Sequence, residues 1–318
     1  MSEISTALVL GAVVVYLIAM VSFAVDISGL GRRAPQRPVR KAANIGMALS
    51  WLGVGLHAAG LVLRGLAAGR VPWANMYEFS LTFALVAVLG FLLIQRSRDI
   101  RYLGVFVTFL AVAVLYVAFW HLFVEADGVQ PILDSYWLII HVSVAAASTG
   151  VFSIAAGASI LQLVQHRQSR HVPAAQQPVR VGAAGGAGDA AVESDAVAEP
   201  APPSSFVGRV MAQLPGAESL ERFAYRLNAV AFVGWTLTVV AGAIWAEAAW
   251  GRPWGWDPKE TWSLVIWLIY AAYLHVRATV GWSINRFAWF ALIGFVALLA
   301  NFYIVNVFIP GNHSYSGL

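Results

Sequence analysis

With 318 residues, 59% of them hydrophobic and only 11% charged, and a mean hydropathy of +0.71, the chain is too apolar for a soluble domain, in which about a quarter of residues are charged. It has no cysteine, which excludes a disulfide framework and any thiol-reductant role of its own. The formal net charge of +4 does not point to nucleic acid, because the basic residues sit mostly in short loops between apolar runs, where they set membrane topology.

The first apolar run, 4–25, follows Glu3 with no basic residue ahead of it, so it reads as an uncleaved spanning helix rather than a secretory signal. The loop after it holds Arg32, Arg33, Arg37, Arg40 and Lys41 and is expected on the cytoplasmic side, which places the N-terminus outside. The second run (43–66) ends at an outer turn around Pro72. The third (77–94) returns to a basic inner loop with Arg96 and Arg98. The fourth (102–123) ends outside at Glu125 and Asp127. The fifth (135–164) is rich in Ser, Thr and Ala, a composition of closely packed membrane helices. Residues 166–220, rich in Ala, Gly and Pro, read as a disordered cytoplasmic linker. Runs six (223–250), seven (260–276) and eight (287–309) follow, with Arg277 and Arg286 inside and the tail outside. The expected fold is therefore an all-α, polytopic helical bundle of about eight transmembrane helices with both termini outside. It divides into helices 1–5 (1–165), the linker (166–220) and helices 6–8 (221–318).

Between runs six and seven lies Trp250-Gly-Arg-Pro-Trp-Gly-Trp-Asp-Pro-Lys-Glu-Thr-Trp262. Asp257 fits a helix N-cap, Pro258 the first helical position and Glu260 the third. The cap does not account for Trp250, Trp254 and Trp256 ahead of it. They suit either interfacial anchoring or a flat aromatic shelf for a flat apolar ligand, and spacing alone leaves both open. Arg252 and Lys259 flank the shelf and would pair with ligand carboxylates or act as ordinary interfacial charges.

On this topology His141 lies about six residues inside the outer end of helix five, about 9 Å deep at 1.5 Å per residue. His313 lies in the outer tail. Two imidazoles and an aromatic shelf on one side of a membrane suit a haem with two axial histidines. The bland alternatives are a helix-packing histidine and a solvated one. His275 sits 18 residues past Asp257, about 27 Å further along helix seven, near the inner side, where it is either functional or interfacial. His57 reads as packing and His121 as interfacial.

The tryptophan-rich stretch resembles the "WWD" signature of haem-handling proteins of cytochrome c maturation. Its Trp256-Asp-Pro-Lys-Glu-Thr-Trp262 ending is most similar to the CcsA/ResC branch. Pro253 stands where that branch usually has Tyr. Trp73-Ala-Asn-Met-Tyr-Glu-Phe79 resembles a second signature of the branch, with Phe79 in place of Ser, and the simplest role of Glu78 there is to start helix three. The resemblance implies that His141 and His313 ligate haem b at the outer face, and that His275 is a membrane-embedded ligand completed by a second subunit. It also implies that the chain is the haem-carrying half of a two-subunit cytochrome c haem lyase in the bacterial inner membrane. The implied partners are a CcsB/ResB-like membrane subunit, an apocytochrome c with a Cys-x-x-Cys-His segment and, indirectly, thioredoxin-like thiol reductants, with no nucleic acid. The alternatives are a haem-delivery protein of the other bacterial maturation system, whose loop usually lacks Pro-Lys-Glu-Thr, a quinone-linked b-type cytochrome, and a haem-free transporter or channel, which would favour midplane polar residues such as Asn301 and Asn306; these two asparagines read as packing.

Overall fold

The structure, a computed structural model, describes residues 1–31, 40–126, 128, 133, 135–170 and 205–313. Among these every regular element is helical: α1 (Ser2–Leu30), α2 (Lys41–Ala68), α3 (Met76–Gln95), a 3₁₀ turn (Arg101–Leu103), α4 (Gly104–His121), α5 (Tyr136–Arg170), α6 (Phe206–Ala212), α7 (Ala217–Trp250), α8 (Pro258–Thr279), α9 (Ile284–Leu299), a π-helical stretch (Ala300–Val305) and α10 (Asn306–Phe308). Seven helical segments are long and apolar enough to cross a membrane: α1, α2, α3, α4 with its 3₁₀ turn, α5, α7, and α9 running on to Phe308. The predicted seventh run corresponds to α8. Its 22 residues span about 33 Å, but Trp, Tyr, His and Arg make it less apolar than the other seven.

Local sequence explains the helix starts. Asp257 and Glu260 form a reciprocal capping box with Pro258 at the first helical position, as expected. The Asn75 side chain accepts a hydrogen bond from the Glu78 amide at 2.9 Å and caps α3.

The boundaries of the predicted linker differ in the structure. α5 continues to Arg170 and α7 begins at Ala217, each reaching beyond the run of apolar residues. Ser205 caps the short α6, whose Arg209 and Gln213 side chains donate to the Gly31 and Leu30 carbonyls at the end of α1. Residues 205–220 are therefore largely helical, because polar side chains dock them onto the helix end and no apolar periodicity announces them. The remainder of the predicted linker, 171–204, lies outside the described residues.

The buried side chains fall into two groups. One joins α1, α2, α3 and α4 with Ile154 and Ala158 of α5 and the start of α7. The other joins α5, α7, α8 and α9. Phe106, Leu110 and Leu299 pack against both. The α5–α7 pair is the most extensively packed in the molecule, in line with the small residues of α5. The beginnings of α3, α5 and α8 meet the ends of α7 and α10 at one end of the bundle, and a cavity opens there.

Candidate functional site

The cavity, counted with its open mouth, holds about 1200 Å³ of space. Its walls come from α3, α5, α7, α8, the π-helical stretch and the tail. His141 and His313 both line it.

Each imidazole is held by one nitrogen. His141 Nδ1 lies 2.9 Å from the Thr238 carbonyl oxygen of α7. The neutral ring therefore donates through Nδ1 and keeps its lone pair on Nε2. Gly242, one turn further on, leaves room for the ring. A Cβ there would sit 2.9 Å from His141 Cε1, closer than carbon atoms pack. His313 Nδ1 lies 2.8 Å from Asp257 Oδ2, so Nδ1 is again the donor and Nε2 the nitrogen left for a ligand. Neither Nε2 is hydrogen-bonded among the described residues. A ring tied at Nδ1 to a carbonyl or carboxylate is how metal-binding histidines are oriented.

Asp257 connects the loop, α8 and the tail. Oδ2 accepts from the Lys259 amide at 3.2 Å and from His313, and Oδ1 accepts from the Asn312 amide at 2.6 Å. The tail approaches so closely that a Cβ on Gly311 would stand 2.5 Å from Oδ1. Burial pushes the Asp257 carboxyl up, but the hydrogen bonds from His313 and Asn312 outweigh it and hold the group below the usual carboxylate value. The N-cap read from sequence is thus also the orienting partner of a histidine 56 residues away.

The four tryptophans of the loop do not form one flat shelf. Trp254 lines the cavity. Trp256 stands perpendicular to it, at 89° with ring centres 5.8 Å apart, and is 69% exposed. Trp250 backs His313 edge-on at 5.1 Å, and Trp262 packs into the α5–α9 core. The cause is the backbone. Glu260 Oε2 accepts from the Gly255 and Asp257 amides and folds the loop tightly around Trp256, whose φ of 59° is left-handed. Consecutive rings therefore splay apart. The aromatic walls come instead from elements remote in sequence: Trp73, Trp235, Trp245, and Phe302, which stacks on Phe79 at 4.2 Å. Trp73 opens the second signature stretch, but no spacing in the sequence announces Trp235, Trp245 or Phe302.

Lys259 faces the cavity. Its Nζ donates to Asn306 Oδ1 at 2.9 Å and lies 5.1 Å from the Phe302 ring. Arg252 does not line the cavity; its guanidinium folds over Gly255. His275 is exposed on α8, away from the cavity. His57 is buried edge-on to Tyr16 at 6.1 Å, also away from it.

Glu78 does more than start α3. Its fully buried carboxylate accepts from Arg64 at 2.9 Å, Arg70 at 2.7 Å and the Ala74 amide at 2.9 Å. Arg64 also donates to the Val124 carbonyl at 2.7 Å. This cluster fixes residues 73–76, which form one cavity wall. The carboxylate and both arginines come from the turn between α2 and α3 and the helix ends beside it, and the Val124 carbonyl, 60 residues from Arg64, joins them only in the folded chain.

The cavity elements coincide with the stretch that comparison with known proteins identifies. Residues 73–313 match the model of the cytochrome C assembly protein family. The chain is 34% identical over 280 residues to the cytochrome c biogenesis protein CcsA of Synechococcus elongatus, covering 81% of this chain and 83% of that one. It is 32% identical over 316 residues to the CcsA protein of another Synechococcus, covering 98% and 97%. Among solved structures, the cytochrome c haem lyase CcmF shares the fold at a TM-score of 0.56 and 16% identity. That match covers 93% of this chain, which spans 47% of the larger protein. The residues that build the cavity are thus those of a CcsA-type chain, and the protein belongs to the cytochrome C assembly family.

Proposed function

We propose that this protein handles haem in cytochrome c biogenesis, taking haem b as substrate and presenting it for covalent attachment to apocytochrome c. The observation that carries the reading is the pair His141 and His313, two imidazoles on one largely apolar cavity, each with Nδ1 engaged and Nε2 directed to no protein partner. That donor set suits axial ligation of a haem iron. The aromatic walls would cover a porphyrin face, and Lys259 would meet a propionate.

The chain's part in the attachment is positioning. With the iron held and one face buried, the vinyl edge is left for the substrate's two cysteines. Each thiol adds across a vinyl group: sulfur bonds to one carbon and hydrogen ends on the other, so the step needs no oxidant or reductant. This chain, having no cysteine, supplies no thiol to compete.

The positive-inside pattern supports eight crossings, with α8 as the eighth, both termini outside and the cavity at the outer face of the bacterial inner membrane. His275, exposed near the other end of α8, suits an inner haem station completed by a CcsB/ResB-like subunit. Thioredoxin-like reductants would keep the substrate cysteines reduced.

The test is the reduced-minus-oxidised absorption spectrum of the protein purified with its partner, beside His141→Ala and His313→Ala. Low-spin haem bands that weaken in both variants support the reading. Bands unchanged in both move the haem elsewhere, and no haem in any sample sinks it.

A further inference from the structure

The stretch Ala300–Val305 winds as π-helix, although it contains neither proline nor glycine to disturb α-winding. Such turns are rare and recur at functional sites. The consequence here is one of register. Five residues of α-winding advance about 500°, leaving two side chains about 140° apart. The i→i+5 winding of a π-turn brings them onto one face. Asn301 and Asn306 are five apart, and both line the cavity faced by His141 and His313.

Both amides hold unused hydrogen-bonding capacity. Asn301 is 3% exposed, its Nδ2 lies 3.3 Å from Ser263 Oγ, and its Oδ1 is buried with no partner. Most buried polar groups are satisfied, so an open one in a cavity wall points to something bound. Turned about its last torsion, the amide would accept from the Ser263 hydroxyl and carry its NH2 where the unpaired Oδ1 now stands, on a side chain that lines the cavity. Asn306 accepts from Lys259, which uses one of its three donors for that bond. Lys259 is the one lysine or arginine among the described residues lining the cavity.

Resting on the haem reading above, we propose that Asn301 and the Lys259–Asn306 pair are two polar stations that bind the two propionate carboxylates of a tetrapyrrole. The π-turn sets both stations on one face. Together they fix which edge of the ring enters the cavity. The propionates lie on one edge of protoporphyrin and the vinyl groups toward the other, so the same contacts decide that the vinyl edge is the one left accessible.

The test is a spectral titration of the full-length protein in detergent with three ligands. These are haem, haem dimethyl ester, whose propionates are masked, and deuterohaem, which keeps the propionates and lacks the vinyl groups. The wild type is expected to bind haem and deuterohaem alike and the diester at least tenfold more weakly. Asn301→Ala should weaken haem and deuterohaem about fivefold and leave the diester unchanged. Asn306→Asp, which engages Lys259 internally, should weaken them tenfold or more, again sparing the diester. Variants that weaken all three ligands alike reduce the asparagines to packing and overturn the inference. So does a wild type that does not distinguish haem from its diester. Variants that leave all three unchanged overturn it while the two-histidine spectrum of the wild type keeps the haem reading intact. A wild type without that spectrum overturns both.

Discussion

Asp257→Asn separates the two roles that Asp257 combines. Asparagine is as good an N-cap as aspartate, so α8 should keep its start and the melting temperature should move little. The effect on His313 is different. The carboxylate accepts from Nδ1 at 2.8 Å and so keeps a proton on Nδ1, leaving Nε2 as the ligating nitrogen. An asparagine amide can instead present its NH2 to Nδ1, which moves the ring proton to Nε2 and removes the ligating lone pair. Loss of an orienting partner of this kind typically costs 10–100-fold in metal affinity, about 1.4–2.7 kcal/mol at about 1.4 kcal/mol per decade. The assay is a haem titration followed by absorption, beside His313→Ala and Asp257→Ala. Asp257→Asn should fall 10–100-fold and approach the His313→Ala spectrum, with thermal stability within about 0.5 kcal/mol of wild type. Asp257→Ala should add the loss of the cap, about 1 kcal/mol. An Asp257→Asn protein with wild-type affinity and spectrum would show that the carboxylate does not orient His313 and would refute the argument.

The Asp257 carboxyl is held below its ordinary value, so its stabilising contribution is complete above the unfolded carboxylate range near about 4 and is lost as pH falls through the lower folded value. Acid titration of the fluorescence of Trp245 and Trp250, which flank His313, should therefore show a transition only below about pH 4. Asp257→Asn should lack it. Gly242→Ala should displace the His141 ring and weaken haem binding by an order of magnitude or more with helix content intact; unchanged affinity would mean that the α5–α7 contact relaxes without moving the ring. Glu78→Gln removes the buried carboxylate charge that Arg64 and Arg70 share and should cost about 3–5 kcal/mol, read as a fall in thermal stability in detergent; a change under about 1 kcal/mol would place the cluster among solvent-screened pairs. His275→Ala should leave the spectrum of the His141–His313 site in place, whereas loss of that spectrum would move the ligand set to α8.

The sequence by itself determined the membrane class, the order and approximate ends of the long helices, the capped start of α8 and the candidacy of His141 and His313. These follow from hydropathy, charge placement and cap chemistry, all of which act within a few residues of the chain. It also identified the tryptophan loop, but not which ring faces the cavity. The tertiary structure decided that Trp254 lines the cavity while Trp256 is exposed and Trp262 is core, and that Trp235, Trp245 and Phe302 complete the walls. It decided that Thr238, 97 residues from His141, and Asp257, 56 from His313, fix the two imidazoles. It placed Glu78 between two arginines and wound Ala300–Val305 so that Asn301 and Asn306 share a face. The physical reason is that a helix in lipid is apolar on its outward and inward faces alike, so periodicity fixes that it spans but not how it is rotated. Rotation is set when helices distant in the chain pack and their few polar groups find one another, and in this protein those groups build the site.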